Sequence, residues 1–180
     1  MKILIIGPLG AGKSSLAYAI NKKYGLSRLN LDEVHRIVGG GYRSEDEQFG
    51  ILSDFLQNNS FWVMEGCQKM LYEKVRPDLI VDMRISRLSA IWRFTARFLK
   101  AKKLIGQNIS PDLPVQAYHY RKVSISKIRE WDSTNQELNA QIADFLKQTD
   151  VPVLTCKGFK DYQKIFDYIE NFGSDYVEKG

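Results

Sequence analysis

Glycines, a lysine and a serine lie close together near the start of the chain, where residues 7–14 have the sequence G-P-L-G-A-G-K-S. This segment fits G-x-x-x-x-G-K-[ST], the pattern of a phosphate-binding loop. Glycines allow the backbone to bend so that successive N–H groups converge on phosphate oxygens. The lysine of the pattern reaches the terminal phosphates, and the serine hydroxyl is a ligand for Mg²⁺. The segment therefore predicts that the chain binds ATP together with Mg²⁺.

The flanking sequence supports this prediction, because a phosphate loop joins a strand to a helix. The apolar run from Ile3 to Ile6 predicts the strand. Apolar residues at Leu16, Ala17 and Ile20 predict the helix, and Gly25 is typical of a helix end. We expect the lysine of the loop to be catalytic as well and its first serine to hold the metal. The residues expected to bind the nucleotide are Gly7, Leu9, Gly10, Ala11, Gly12, Lys13, Ser14 and Ser15.

Acidic side chains follow the next two predicted strands. Asp32 and Glu33 come after the second strand, and Glu65 comes directly after the third. Ligands of open parallel sheets bind at these carboxyl ends of the strands. A carboxylate placed there holds Mg²⁺ through water or accepts a proton from an attacking hydroxyl. We predict that Asp32 and Glu65 are catalytic, that Asp32 also binds the acceptor, and that Glu65 also holds Mg²⁺ through water.

A strongly basic segment follows the fourth predicted strand. Between Arg84 and Lys103 the chain has seven positively charged residues and no acidic one. Arg93 and Arg97 are four residues apart, so they share one face of the amphipathic helix predicted from Leu88 to Leu104. Phosphoryl transfer spreads negative charge over the equatorial oxygens, and planar guanidinium groups are suited to neutralising it. We predict that Arg93 and Arg97 are catalytic.

Three further residues are weaker candidates for binding the acceptor. His35 follows the Asp32 segment and is expected to contact a substrate hydroxyl. Arg36, beside it, and Arg76, which precedes the fourth strand, are expected to hold a phosphate of the acceptor.

Strand and helix signals alternate along the chain, which favours a parallel α/β sheet covered by helices on both faces. The prediction is the three-layer fold of P-loop NTPases, with five parallel strands in a single domain over residues 1–180. The region 88–130 is the candidate for a short helical lid, and Trp92 within it is expected to face the core. A capping box at Thr134 and Glu137 predicts that a separate helix begins there. The strands after the first are predicted at Ser27–Leu31, Phe61–Met64, Leu79–Val81 and Val153–Cys156.

Composition and charge narrow the class of protein. The net charge of +5 and the pI near 9.1 suit phosphate ligands and do not by themselves imply nucleic acid. Cys67 and Cys156 are far apart and lack metal-ligand spacing, so we predict reduced, buried thiols. No stretch of about 18 uncharged apolar residues occurs, which predicts a cytoplasmic, soluble protein without a membrane partner. Monomer and homodimer both remain open.

Two other classes of phosphate-loop protein fit the sequence less well. Leu31-Asp32-Glu33 lies on the strand directly after the loop, which is too early for the acidic element of a mechanical ATPase. Asn21-Lys22-Lys23-Tyr24 lacks the aspartate of the guanine-binding N-K-x-D motif and lies on the first predicted helix. These observations favour a small P-loop kinase.

Together these residues resemble the adenylate-kinase-like group of P-loop kinases, and more closely the bacterial DNA topology modulation proteins. The resemblance covers most of the chain and includes W-V-M-E-G at 62–66, where that group tends to have W-V-x-[DE]-G-N-Y. It implies that Arg93 and Arg97 contact the transferring phosphates, and that adenine is held by backbone atoms of the segment 155–159. Cys67-Gln68 replaces the Asn-Tyr of the group at the position expected for the acceptor.

The sequence thus leads to two hypotheses from different functional classes. The first is a kinase that transfers the γ-phosphoryl group of Mg-ATP to a small acceptor, a nucleotide or nucleoside before other hydroxylated metabolites. That acceptor is expected between Asp32 and Glu65. The alternative is an ATP-binding regulatory module that modulates DNA or a protein partner without phosphorylating an acceptor. The basic segment supports the alternative, but no nucleic-acid-binding motif is recognised.

Overall fold

One parallel sheet organises the computed structural model, which describes residues 1–37, 41–101 and 125–177. Within those residues the sheet has five strands in the order β2-β3-β1-β4-β5. Every pair of neighbouring strands is parallel, as expected for strands joined by helical crossovers. The strands are β1 (Lys2–Ile6), β2 (Ser27–Asn30), β3 (Trp62–Glu65), β4 (Leu79–Met83) and β5 (Val153–Cys156).

Helices connect the strands and cover both faces of the sheet. The described helices are α1 (Lys13–Tyr24), α2 (Leu31–His35), α3 (Glu45–Asn58), α4 (Lys69–Tyr72), α5 (Arg87–Ala101), α6 (Ile125–Lys147) and α7 (Tyr162–Val177), with a 3₁₀ turn at Phe159–Asp161. Side chains alternate between the two faces along each strand, so Ile3 and Ile5 of β1 pack with α1 and α7, while Leu4 and Ile6 pack with α2, α3, α4 and α6. This is the three-layer architecture that the sequence predicts.

The structure corrects three local predictions. Leu31 begins α2 instead of ending β2, because the Asn30 side chain accepts a hydrogen bond from the Asp32 N–H and caps the helix. Thr134 does not cap a helix, since α6 runs continuously through it and its hydroxyl donates to the Glu130 carbonyl at 3.0 Å. Trp92 faces outward with 70% of its surface exposed.

The prediction for the two cysteines is confirmed. Cys67 and Cys156 are both buried free thiols. None of the described helices combines the length and apolarity that a membrane-spanning segment requires. Of the predicted lid, α5 and the beginning of α6 are described, and residues 102–124 lie outside the described ranges.

Candidate active site

Strand register brings the predicted acidic residue of β3 next to the phosphate loop. Ile5 of β1 pairs with Glu65 of β3, and Asn30 of β2 pairs with Glu65 from the other side. Since β1 ends one residue later at Ile6, the loop leaves the sheet directly beside the Glu65 carboxylate. The carboxyl ends of three strands therefore meet at one edge, where open α/β sheets bind their ligands.

Two glycines of the phosphate loop are required by its backbone path. Gly7 has a φ of 151°, and a Cβ there would lie 2.5 Å from the Met83 carbonyl oxygen. Gly12 has a φ of 99° and precedes α1 in the left-handed conformation, which favours glycine. The loop can thus pass close to β4, and its N–H groups lie near the beginning of α1. The positive end of the helix dipole is located there, so both favour binding of an anion.

Lys13 is buried within the loop and points toward its first residues. Its Nζ donates to the carbonyls of Gly7 at 3.0 Å and Pro8 at 3.1 Å, and to Cys67 Sγ at 3.0 Å. Burial disfavours the charged form of Lys13, but the hydrogen bond to Cys67 and the nearby Asp32 and Glu65 carboxylates outweigh this cost and raise the pKa of Lys13 above its ordinary value. The ammonium group is therefore retained as a positive charge at the loop.

Cys67, which the sequence marks only as a departure from a related group, is part of this arrangement. Burial raises the pKa of its thiol, so the sulfur is protonated at neutral pH. It accepts a hydrogen bond from Lys13 and donates its S–H to the Gly7 carbonyl at 3.3 Å. This thiol bridges β3 and the phosphate loop.

Glu65 is 1% exposed and connects the loop to β2. It forms an ion pair with Arg28 of β2 at 3.1 Å. Burial raises the pKa of Glu65 above its ordinary value, although Lys13, Ser14 and Arg28 act in the opposite direction. Ser14 and Glu65 supply hard oxygen atoms at one point beside the loop, and this donor set fits Mg²⁺.

Asp32 is held at the same edge by backbone contacts. Its Oδ1 accepts a hydrogen bond from the Cys67 N–H at 3.1 Å, which links α2 to the turn after β3. Gly66 makes this approach feasible, because a Cβ there would lie 2.7 Å from Leu31 Cβ. The structure thereby brings Lys13, Asp32 and Glu65 together, as the sequence predicts from separate strand ends.

Replacing Gly66 tests how closely α2 must approach β3. We expect Gly66→Ala to push Leu31 away and to displace the Asp32 carboxylate from the Cys67 N–H. The overpacking should lower the free energy of unfolding by about 1–3 kcal/mol, measured by chemical denaturation. Gly50→Ala is the matched control, since a Cβ at this α3 glycine meets nothing within 4 Å. An unchanged free energy of unfolding in Gly66→Ala would contradict the close approach of α2 to β3.

His35 lies one helical turn after Asp32 on α2, so the two share one face. Its ring stacks on Tyr42 with centroids 4.6 Å apart. The Gln48 Nε2 donates to the Arg43 carbonyl, which leaves the Gln48 Oε1 to accept from His35 Nδ1 at 3.2 Å. The neutral His35 ring therefore carries its proton on Nδ1 and offers Nε2 as an acceptor. Sequence reasoning missed the buried Gln48.

The two arginines predicted to bind an acceptor phosphate are placed differently. Arg36 is exposed at the end of α2. Arg76 is exposed and precedes β4, so it lies at the amino ends of the strands, opposite the phosphate loop. The neighbouring Asp78 N–H bonds to the Lys2 carbonyl at the start of β1, which fixes that location. The structure does not bring Arg76 together with the other predicted residues.

Arg93 extends from α5 over the loop. Its Nη1 donates to the carbonyls of Gly10 and Ala11, both at 3.1 Å. Arg97 lies one helical turn later on α5, and its side chain is outside the described part of the structure. The guanidinium of Arg93 thus lies where the loop would hold phosphates.

A cleft of about 280 Å³ opens between the loop, α5 and the segment after β5. Trp92 and Phe159, which are 70% and 73% exposed, lie at this cleft. Aromatic faces offer stacking surfaces to a base. The lining residues are Gly10, Ala11, Gly12, Ser15, Trp92, Arg93, Ala96, Gly158, Phe159 and Tyr162.

A second buried carboxylate, Asp82, was not singled out from the sequence. It pairs with Ile6 in the sheet register and is 3% exposed. Its Oδ2 accepts from Arg84 Nε at 2.6 Å, and burial raises its pKa. The signal that could have found it is an acid within the apolar run L-I-V-D-M, the same signal that marks Glu65.

Comparison with solved structures identifies the architecture. The deoxyadenosine kinase of M. mycoides with bound dCTP matches with a TM-score of 0.54 and 17% identity, over 95% of this chain and 99% of that chain. The same enzyme with bound dATP matches with a TM-score of 0.52 and 17% identity, over 97% of this chain and 100% of that chain. This is the fold of the deoxyadenosine kinases. No family model and no curated protein matches the chain.

Proposed function

We propose that this protein is an ATP-dependent kinase that phosphorylates a hydroxyl group of a nucleoside. The observation that carries the proposal is the position of the buried Glu65 carboxylate at the end of β3, in register with the last residues of β1 and therefore beside the phosphate loop. A carboxylate whose burial is costly thus lies next to a nucleotide-binding element. A binding loop alone does not need that carboxylate, whereas phosphoryl transfer with Mg²⁺ does.

The proposed reaction uses Asp32 as the general base. The acceptor oxygen attacks the γ-phosphorus while its proton passes to the Asp32 carboxylate. The new P–O bond forms as the bond to the β-phosphate oxygen breaks, and ADP leaves. Lys13, Arg93 and Arg97 neutralise the charge that develops on the transferred group, so positioning and electrostatics supply most of the acceleration.

Ser14 and Glu65 are the residues proposed to hold Mg²⁺, Ser14 directly and Glu65 through water. When bound, Mg²⁺ neutralises phosphate charge and orients the terminal phosphoryl group. The adenine is proposed to occupy the cleft at Trp92 and Phe159, close to the segment after β5 that the resemblance indicates.

The placement of arginines favours a nucleoside over a nucleotide as the acceptor. Arg76 lies at the opposite edge of the sheet, and Arg43 donates to the carbonyls of Glu33 and Val34 at the end of α2. Arg28 is paired with Glu65. Of the described arginines considered for the acceptor, these three are paired or distant, and Arg36 is exposed at the end of α2. A monophosphate needs cations to bind it, whereas a neutral nucleoside does not. The two solved structures compared above are of a deoxyadenosine kinase, which supports the same choice.

The test is release of ADP from Mg-ATP in the presence of a panel of nucleosides, nucleoside monophosphates and sugars. We expect a nucleoside to stimulate release at least tenfold and its monophosphate to have little effect. Preference for the monophosphate would replace the nucleoside with a nucleotide as the acceptor. If ATP binds and no compound stimulates release of ADP, the kinase proposal is wrong. That outcome would support the alternative of an ATP-binding regulatory module. A DNA titration at two salt concentrations would then test that alternative.

A further inference from the structure

The side chain of Asn135 on α6 forms two hydrogen bonds with the phosphate loop. Its Oδ1 accepts a hydrogen bond from the Leu9 N–H at 2.7 Å, and its Nδ2 donates to the Leu9 carbonyl at 3.4 Å. Asn135 is 6% exposed and 126 positions away from Leu9 in the sequence. A buried amide costs free energy unless it is hydrogen-bonded, and here both of its polar groups are satisfied by one residue of the loop.

Neighbouring residues of α6 also pack over the loop or link α6 to α5. A Cβ at Gly10 would lie 3.5 Å from the Trp131 ring, so that ring packs over the loop. Asp132 binds Arg87 at the beginning of α5, with Nε and Oδ1 2.8 Å apart. Trp131 and Asp132 precede Asn135 by four and three positions, so each of them neighbours Asn135 on the helix surface. The loop is therefore held between α5 and α6, which are tied to each other by this ion pair.

Leu9, the residue that Asn135 binds, lies near the beginning of the loop at 7–14. Lys13, the residue that reaches the terminal phosphates in this pattern, places its Nζ on the carbonyls of Gly7 and Pro8. Leu9 follows directly. Asn135 therefore acts on the part of the loop next to the Lys13 ammonium group, which is proposed to neutralise the transferred phosphoryl group, and not on the residues that begin α1.

We propose that Asn135 is a positioning residue that fixes Leu9 so that the loop holds the terminal phosphate of ATP. The inference rests on the proposed function in one respect, since both need ATP in this loop. It does not depend on which acceptor is used or on whether transfer occurs. A purely structural Asn135 would stabilise the fold without affecting ATP and ADP differently.

The experiment compares the affinities of Mg-ATP and Mg-ADP by calorimetry for the wild type and for Asn135→Leu. This variant keeps the branched shape and the number of heavy atoms of the side chain and removes both hydrogen bonds. We expect the affinity for ATP to fall by about three- to tenfold, the range of a net hydrogen bond, and that for ADP to fall less. Asn135→Ala is the second variant, because it removes the same bonds without adding apolar volume. Thr134→Ala is the matched control, with a hydroxyl that bonds within α6 to Glu130.

Equal losses for ATP and ADP, or a lower melting temperature with unchanged affinities, would overturn the inference. If the wild type binds ATP but phosphorylates no acceptor, the kinase proposal fails and the inference on Asn135 stands or falls by the affinity ratio alone. If the wild type binds neither nucleotide, both proposals are wrong.

Discussion

Asp32→Asn is expected to lower kcat by about 10²- to 10⁴-fold, the range for loss of a general base, while the affinity for ATP stays close to that of the wild type. The variant keeps an Oδ1 atom that can accept the Cys67 N–H bond, so α2 retains its position. What it loses is the ability to take the proton of the acceptor hydroxyl. Single-turnover kinetics with the stimulating nucleoside, together with ATP binding by calorimetry, measure the two quantities separately.

Glu33→Gln is the matched control for this prediction. Glu33 is the next residue on α2 and is exposed, and its Oε1 accepts from Asn30 Nδ2 at 3.2 Å. Its replacement also removes one negative charge from α2, but it leaves the bond between Asp32 and the Cys67 N–H in place. We expect kcat to change less than twofold. Comparable losses in both variants would mean that negative charge on α2 matters and that Asp32 is not the base.

Glu65→Gln is expected to lower turnover by about 10- to 100-fold, the range for loss of an outer-shell partner of a metal, and to raise the thermal stability of the nucleotide-free protein at neutral pH. The first effect follows from the proposed water-mediated hold on Mg²⁺. The second follows from burial, which raises the pKa of Glu65 and so makes its ionised form unfavourable in the folded protein. An active-site acid that weakens its own fold is a common cost of function.

The pH dependence of this stability difference has a definite sign. A carboxyl whose pKa is raised in the folded state binds its proton more tightly there than in the unfolded chain. Below the ordinary value of 4.5 both states are protonated, and we expect similar melting temperatures for wild type and Glu65→Gln. As pH rises from 4.5 through the raised pKa, the wild type should lose stability relative to the variant, after which the difference stays constant.

Melting curves recorded without nucleotide or Mg²⁺ across this pH range are the measurement. Addition of Mg-ATP should narrow the difference in favour of the wild type, since binding stabilises the folded state. A wild type that is more stable than Glu65→Gln at neutral pH would contradict the prediction. In that case the ion pair with Arg28 contributes more than burial costs.

The sequence alone was sufficient to predict the fold class and those parts of the site that depend on residues adjacent in the chain. The loop at 7–14 was predictable because a strand, a glycine-rich turn and a helix follow one another there. Each of these three elements is recognised from the apolar periodicity or the backbone freedom of adjacent residues. Glu65 was predictable in the same way, as a charge at the end of an apolar strand. The parallel order of the strands follows from alternating strand and helix patterns.

Only the tertiary structure decided which side chains meet. It placed Arg76 at the opposite edge of the sheet, turned Trp92 outward, and brought Asn135 onto Leu9 across 126 positions of sequence. It also paired Arg28 with Glu65 and placed Cys67 against Lys13. The physical reason is that patterns along the chain report which face of an element is apolar. Contacts between elements depend on strand register and helix packing, and these are set by the whole core at once.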